Sequence, residues 1–285
     1  MLRVCIFCGR NDGQAHRLSS EDIWPNWLTQ FVPRDLESYQ SASILVNRDG
    51  HEKSERKIDG DPKSRRVKVV CKKCNNGWMS RLQEKAKDVL LPLIIGKPVV
   101  LGAEAQDLIA KWCAMSTMTA DFIYPERQAI SQEDRTLLFE NHVVRPNTWR
   151  IWIGRYIRGR WPSYFIKLSL PYADDEITPS LLPSGRPRPN TQTTTLVFGE
   201  LFVHAFSCPV PDLVAKVGIT HQGAKKIAQI WPVREQFVAW PIVAMSDEDA
   251  NRIAGAISER MSGIPVRWDG ERRAVGTGNA PLAIK

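Results

Sequence analysis

Four of the six cysteines stand in two pairs whose spacing is typical of a metal site. Cys5-Ile6-Phe7-Cys8 and Cys71-Lys72-Lys73-Cys74 both follow the Cys-x2-Cys pattern. Each such turn can place two thiolates on one side of a tetrahedral ion, so two turns supply the four ligands of a closed site. The main alternative is two separate redox pairs, but a redox pair opens a helix after a strand, whereas Gly or Asn follows each pair here. We therefore predict structural Zn²⁺ bound by Cys5, Cys8, Cys71 and Cys74.

The other two cysteines, Cys113 and Cys208, stand alone in apolar surroundings. Free cysteine is among the most buried residue types, so we expect both in the core. The N-terminus begins Met1-Leu2-Arg3 and lacks the pattern of a secretory signal. We expect a cytoplasmic location, in which disulfides are rare.

An acidic pair and an asparagine stand close to the cysteine pairs, and both have an ordinary structural interpretation. Ser19-x-x-Asp22 has the form of a capping box, and the apolar residues that follow it have helical spacing. Glu21 and Asp22 would then be first-turn acids favoured by the helix dipole. Asn75 is likewise a preferred N-cap for a helix that begins near Gly77.

The first ninety residues also resemble the HNH endonuclease superfamily, in the subtype whose ββα-metal motif is braced by a zinc ribbon. The resemblance rests on Cys5-x2-Cys8, Ser20-Glu21-Asp22-Ile23-Trp24-Pro25-x-Trp27-Leu28 and Val69-Val70-Cys71-x2-Cys74-Asn75-Asn76-Gly77-Trp78-Met79-Ser80. It implies that Glu21 ends the first strand and that Asn75 opens the helix. It also implies that Glu21 and Asn75 hold a catalytic Mg²⁺ or Mn²⁺ on the scissile phosphate of DNA.

One residue departs from the pattern of that family. Asp22 stands where the family has the histidine that acts as general base. A carboxylate with an ordinary pKa near 3.9 is a much weaker base than imidazole near 6.5, and a neighbouring divalent cation lowers its pKa further. Asp22 would serve as a second metal ligand or as a weak base, and His16 is the candidate for a substitute base. The protein would then be an active nuclease with altered base chemistry, a slow nuclease, or an inactive descendant that kept the ability to bind.

The chain is basic, with a net charge of +8 and a pI near 9.3. One run without an acidic residue contains Lys63, Arg65, Arg66, Lys68, Lys72 and Lys73. Such a run is often a solvated surface, but its position beside the predicted metal site favours contact with nucleic-acid phosphates. We therefore expect DNA or another nucleic acid as partner.

The remaining elements predict an α+β fold. Helices are predicted at 81–95 and 103–120, with capping serines at Ser131 and Ser246 opening two more. Strands are predicted at 148–153, 163–170, 194–206 with a turn near Gly199, and 236–243. The order indicates an HNH-like domain at 1–95, followed at 96–285 by an α+β domain with a mainly antiparallel sheet.

The longest apolar run, Val89–Ile95, is far shorter than the roughly 20 residues that cross a bilayer, so no membrane span is expected. The predicted function is a metal-dependent DNA endonuclease, weakened by Asp22. The alternative is a catalytically inactive zinc-ribbon module that binds nucleic acid or, through residues 96–285, a protein in a bacterial or phage assembly.

Overall fold

The computed structural model describes residues 4–32, 39–47, 52–59, 65–157, 165–173, 177–219 and 225–262. The N-terminal strands are β1 (Leu18–Asp22), β2 (Tyr39–Asn47), β3 (Glu52–Asp59) and β4 (Arg66–Cys71). Two short helical segments, α1 (Lys72–Cys74) and a π turn (Asn75–Met79), lead into helix α2 (Ser80–Ile94), with Pro92 in its last turn.

The rest of the described chain mixes helices and strands. The helices are α3 (Ala103–Ala120), α4 (Gln132–Asn141), α5 (Pro211–Lys216) and α6 (Asp247–Ser262). The strands are β5 (Val99–Gly102), β6 (Trp149–Tyr156), β7 (Phe165–Leu170), β8 (Thr191–Phe198), β9 (Leu201–Ser207), β10 (Ile227–Trp231), β11 (Phe237–Trp240) and β12 (Ala244–Met245). None of the described helices is both long enough and apolar enough to cross a membrane.

The fold is α+β with mainly antiparallel sheets, as predicted. The large sheet has the order β10-β6-β9-β8-β7-β2-β3, with β12 beside β6. Its parallel pairings are β2 with β7 and β12 with β6. Two separate ribbons, β1 with β4 and β5 with β11, pair antiparallel.

Most predicted elements coincide with observed ones. Helix α3 has the predicted bounds, and Ser131 Oγ accepts a hydrogen bond from the Asp134 backbone N–H at the start of α4. Ser246 makes the equivalent bond with Asp249 at the start of α6. The predicted strand at 194–206 is the β8–β9 hairpin, which turns at Gly199.

The interpretation of Glu21 and Asp22 as the first turn of a helix is wrong. Both residues lie in β1, where they pair with Val67 and Arg66 of β4. Ser19 Oγ does not cap a helix but donates a hydrogen bond to the Val70 carbonyl. The cross-strand partners override the local capping pattern, because strand pairing satisfies the same backbone groups.

One hydrophobic core contains residues from both sides of position 95, where the first predicted domain ends. One cluster of buried side chains joins Trp24 and Leu28 to Leu90 of α2, Trp112 of α3 and Phe198 of β8. A second cluster lies on the opposite face of the large sheet and packs against α6. Hairpin β2–β3, which stands between β1 and β4 in sequence, extends the large sheet through β7.

Candidate functional site

The two Cys-x2-Cys pairs meet at one point. The sulfur atoms of Cys5, Cys8, Cys71 and Cys74 all lie within 4.8 Å of one another. The Sγ atoms of Cys8 and Cys71 are 3.8 Å apart. A zinc ion with bonds of about 2.3 Å to sulfur requires tetrahedral sulfur–sulfur distances of about 3.8 Å. The cluster therefore has the donor type, number and spacing of a four-thiolate metal site.

The surroundings of the cluster stabilise a thiolate. The Cys71 backbone N–H donates to Cys5 Sγ at 3.4 Å. Hydrogen bonds from the Cys74 thiol and, less strongly, from the backbone of Cys8, Cys71 and Phe7 lower the pKa of Cys5 to about 4, against the opposing effect of burial. The pKa of Cys74 is raised, chiefly because its thiol donates to Cys5. Metal binding requires thiolates, and bonds of this kind hold ligating sulfurs in place.

His16 lies beside this cluster. Arg10 Nη1 is 2.9 Å from His16 Nε2, and His16 Nδ1 is 3.8 Å from Cys71 Sγ. A guanidinium can only donate, so Nε2 must accept and the proton of the ring must sit on Nδ1, directed at the sulfur. His16 therefore links Arg10 to a cysteine of the cluster.

The position of His16 does not suit a substitute base for Asp22. His16 touches Cys71, which pairs with Leu18 at the start of β1, whereas Asp22 stands at the other end of that strand. Four residues of strand separate Leu18 from Asp22, which is about 13 Å.

Glu21 is a buried carboxylate without a described partner. Its relative exposure is 6%, and no described residue donates a hydrogen bond to it or forms an ion pair with it. Burial, and secondarily the charge of Asp22, raise the pKa of Glu21 to about 7. A buried, uncompensated carboxylate costs folding free energy, and such groups concentrate at functional sites.

Asp22, by contrast, forms an ion pair with Arg66 directly across the strand pair. The side chain of Arg66 is 57% exposed and that of Asp22 is 16% exposed. The structure therefore places Glu21 and Asp22 side by side but in different environments.

Asn75 reaches the same strand. Its backbone is helical, so it is not an N-cap, and its Nδ2 donates to Ser19 Oγ at 3.3 Å. Ser19 and Glu21 are two residues apart in β1, and the register of the β1–β4 pairing shifts between them. The amide of Asn75 therefore contacts β1 two residues before Glu21.

The predicted basic run is partly described. Arg66, Lys68, Lys72 and Lys73 are exposed, Arg65 is partly exposed, and Lys63 lies outside the described residues. Sequence reasoning missed two exposed arginines of the first cysteine turn, Arg10 and Arg17. The Lys72 backbone N–H donates to the Arg17 carbonyl at 2.9 Å, which brings Arg17 next to the run. Arg17 is close to the basic run only because the two Cys-x2-Cys turns, which are distant in sequence, meet in the fold.

Within the described part of the chain, no second group of three or more His, Cys, Asp or Glu side chains is close enough to hold an ion. A divalent ion near Glu21 would therefore depend on Glu21, Asp22 and the Asn75 amide.

Comparison with known proteins assigns no family to this chain. No protein-family model, no curated protein and no solved structure matches it.

Proposed function

We propose that residues 1–95 are an HNH-like, metal-dependent endonuclease module that acts on DNA. The observation that supports this best is the position of Glu21. It is a buried carboxylate with no described partner, it lies next to the last residue of β1, which pairs with β4, and it follows by two residues the serine to which the Asn75 amide donates. In sequence, β1, β4 and the helix stand in the order that the resemblance implies, with the hairpin β2–β3 inserted between the two strands.

In this proposal, the four cysteines bind structural Zn²⁺. The ion would tie the first turn of the chain to the end of β4, closing a long loop and fixing β1 against the start of the helix. Zinc fits because the donor set is four sulfurs at tetrahedral spacing.

Glu21 and Asn75 would hold Mg²⁺ or Mn²⁺, which prefer oxygen ligands. When bound, such an ion polarises a phosphate and lowers the pKa of a water molecule. The residues of this chain contribute the position of the ion and, through Lys68, Lys72 and Lys73, attraction for the phosphate backbone. Asp22, paired with Arg66, contributes little as a base, so turnover should be slow.

The second candidate is a module that binds nucleic acid without cleaving it. The Asp22–Arg66 ion pair favours this candidate, because it occupies the residue that stands in the place of the base. Binding would then be sensitive to salt and would not depend on a divalent ion. A protein-interaction role for residues 96–285 is the remaining alternative.

The test is nicking of supercoiled plasmid by full-length protein shown by elemental analysis to contain one zinc per chain. We expect slow nicking with Mg²⁺ or Mn²⁺ that EDTA abolishes. Asn75→Ala should lower the rate by about tenfold or more through loss of a metal ligand, with Asn76→Ala as the matched control. Cleavage that persists in Asn75→Ala at the wild-type rate would sink the assignment.

A second pair of variants separates the two candidates. Asp22→His restores an imidazole, and Asp22→Asn breaks the ion pair with Arg66 without adding a base. Faster nicking in Asp22→His alone supports a disabled HNH site. If neither variant nicks, yet DNA binding falls in the charge-reversal variants Lys72→Glu and Lys73→Glu, the binding module is favoured.

A further inference from the structure

A cavity of about 430 Å³ lies outside the cysteine cluster and the β1–β4 pair. Its wall is formed by the first turn of α4 and the segment before it, by the residues just before β8, and by the end of β9 with the residues just after it. Among the lining residues are three arginines, Arg135, Arg145 and Arg188. The volume is within the range of pockets that hold small molecules.

The three arginines keep donors available. Arg135 is buried, with a side chain 5% exposed, and its Nη2 donates to Asp121 Oδ2 at 2.6 Å. Its Nε is buried without a partner among the described residues. The guanidinium of Arg188 also has no hydrogen-bond or ion-pair partner among the described residues. Arg145 approaches Asp134 through Nε only, at 3.3 Å.

Two acceptor side chains in the wall, Asp134 and Ser207, already have donors. Asp134 accepts from the hydroxyl of Thr148 at 3.2 Å and from Trp149 Nε1 at 3.1 Å, besides its contact with Arg145. Ser207 Oγ accepts from Gln192 Nε2 at 3.1 Å, which leaves the hydroxyl proton of Ser207 to donate. The remaining carboxylate of the wall, Glu133, lies exposed on the first turn of α4.

The charge behind the wall has the same sign. Asp121 is fully buried and is shared by two cations, Arg135 and Lys167. The backbone N–H groups of Ala129 and Ile130 also donate to Asp121. Asp121 and Asp134 are the nearest carboxylates to Arg135, and burial nevertheless lowers the pKa of Arg135. An anion in the cavity would favour the charged form of this guanidinium.

We propose that this cavity binds the phosphate monoester of a small molecule. Guanidinium groups match the oxygens of carboxylates and phosphates through paired hydrogen bonds, and the three terminal oxygens of a phosphate monoester can accept from three arginines. The other lining residues include Ala129, Ile130 and Pro189, which would contact an apolar part of the ligand.

Isothermal titration of the full-length protein with phenyl phosphate, phenol and inorganic phosphate tests the proposal. We expect saturable binding of phenyl phosphate, weaker binding of phosphate and none of phenol. Arg188→Gln should weaken phenyl phosphate binding by about tenfold or more, because it removes charged hydrogen-bond donors from the cavity wall. Arg186→Gln, which removes the same charge from an exposed neighbour outside the cavity wall, should bind as the wild type does.

Arg145→Gln provides a second variant at the other side of the cavity, and circular dichroism checks that each variant is folded. The proposal is overturned if phenyl phosphate shows no saturable binding up to about 10 mM. It is also overturned if phenol binds equally well, or if Arg186→Gln loses as much affinity as Arg188→Gln.

Discussion

His204 is a buried side chain whose protonation should affect stability at mildly acidic pH. It lies in β9 opposite Thr195 and Trp152 of the neighbouring strands, and its Nδ1 is 2.9 Å from Thr195 Oγ1. Its Nε2 is buried without a partner among the described residues. Burial lowers the pKa of His204 to about 3, so the ring stays neutral in the folded protein.

The stability of the fold depends on pH through this histidine. The unfolded chain binds a proton at this histidine below about pH 6.5, whereas the folded chain does not, so stability falls as pH drops from about 6.5 towards 3. At pH 5 the loss should be about 2 kcal/mol. Urea unfolding should show that the free energy of unfolding falls by about 2 kcal/mol less in His204→Gln than in the wild type when the pH is lowered to 5, because the other titrating groups are common to both proteins. His142→Asn, at an exposed position, is the control, and an unchanged slope in His204→Gln would refute the account.

At the scale of single residues, the sequence predicted which residues can bind a metal better than it predicted the ion-pair partners of side chains. The four cysteines were identifiable because donor chemistry and local spacing define a Cys-x2-Cys turn. The ion pair of Asp22 with Arg66 joins residues 44 apart in sequence and depends on strand register. Strand register cannot be predicted from a local sequence pattern, so the ion pair of Asp22 was found only in the structure.

At the scale of the elements, the β8–β9 turn makes a close contact with a helix. It packs against the end of α2, where the Glu200 backbone N–H donates to the Ile94 carbonyl at 2.9 Å. Gly199 has φ of +59°, and a Cβ atom there would lie 2.4 Å from the Ile94 carbonyl oxygen. The turn thus joins the large sheet to the helix that follows the second cysteine pair.

Gly199→Ala should therefore destabilise the protein by about 3 kcal/mol, through the left-handed backbone and the clash with Ile94. Gly185→Ala is the matched control. Gly185 has φ of +79° with nothing within 4 Å of the added Cβ, so only the backbone cost of about 1 kcal/mol applies. Chemical denaturation of both variants measures the difference. Equal losses would mean that the approach of the turn to α2 is not tight.

Helices were easier to predict than the inserted strands. Helix α3 was predicted with its observed bounds because its apolar residues recur at helical spacing over 18 residues. Strands β2 and β3 lie in a stretch rich in polar and charged residues, for which no strand is predicted from the sequence. Strand β2 pairs with β7, which lies more than 100 residues later in the chain, and sequence periodicity does not report such contacts.

At the scale of the whole molecule, strand pairing and core packing both connect the candidate nuclease module to the remaining chain. Strand β2 pairs in parallel with β7, aligning Ala42 with Ile166 and Leu45 with Ser169. The ring of Trp24, which follows Glu21 and Asp22, lies 4.4 Å from that of Phe198 in β8. The position of the catalytic candidates therefore depends on the large sheet as well as on the cysteine cluster.

Residues 1–95 alone should consequently bind zinc without folding cooperatively. Removing residues 96–285 takes away the strand beside β2 and exposes Trp24, Leu28 and Leu90, which are at most 2% exposed in the full chain. Zinc can still hold the two cysteine turns, because its ligands all lie within the fragment. We expect one zinc per fragment, but a poorly dispersed amide NMR spectrum and no sigmoidal thermal transition. The full chain, measured in parallel, should unfold cooperatively. A dispersed spectrum and a sharp melt for the fragment would show instead that the module is an independent domain, because its own core would then suffice to hold Glu21 and Asn75 in place.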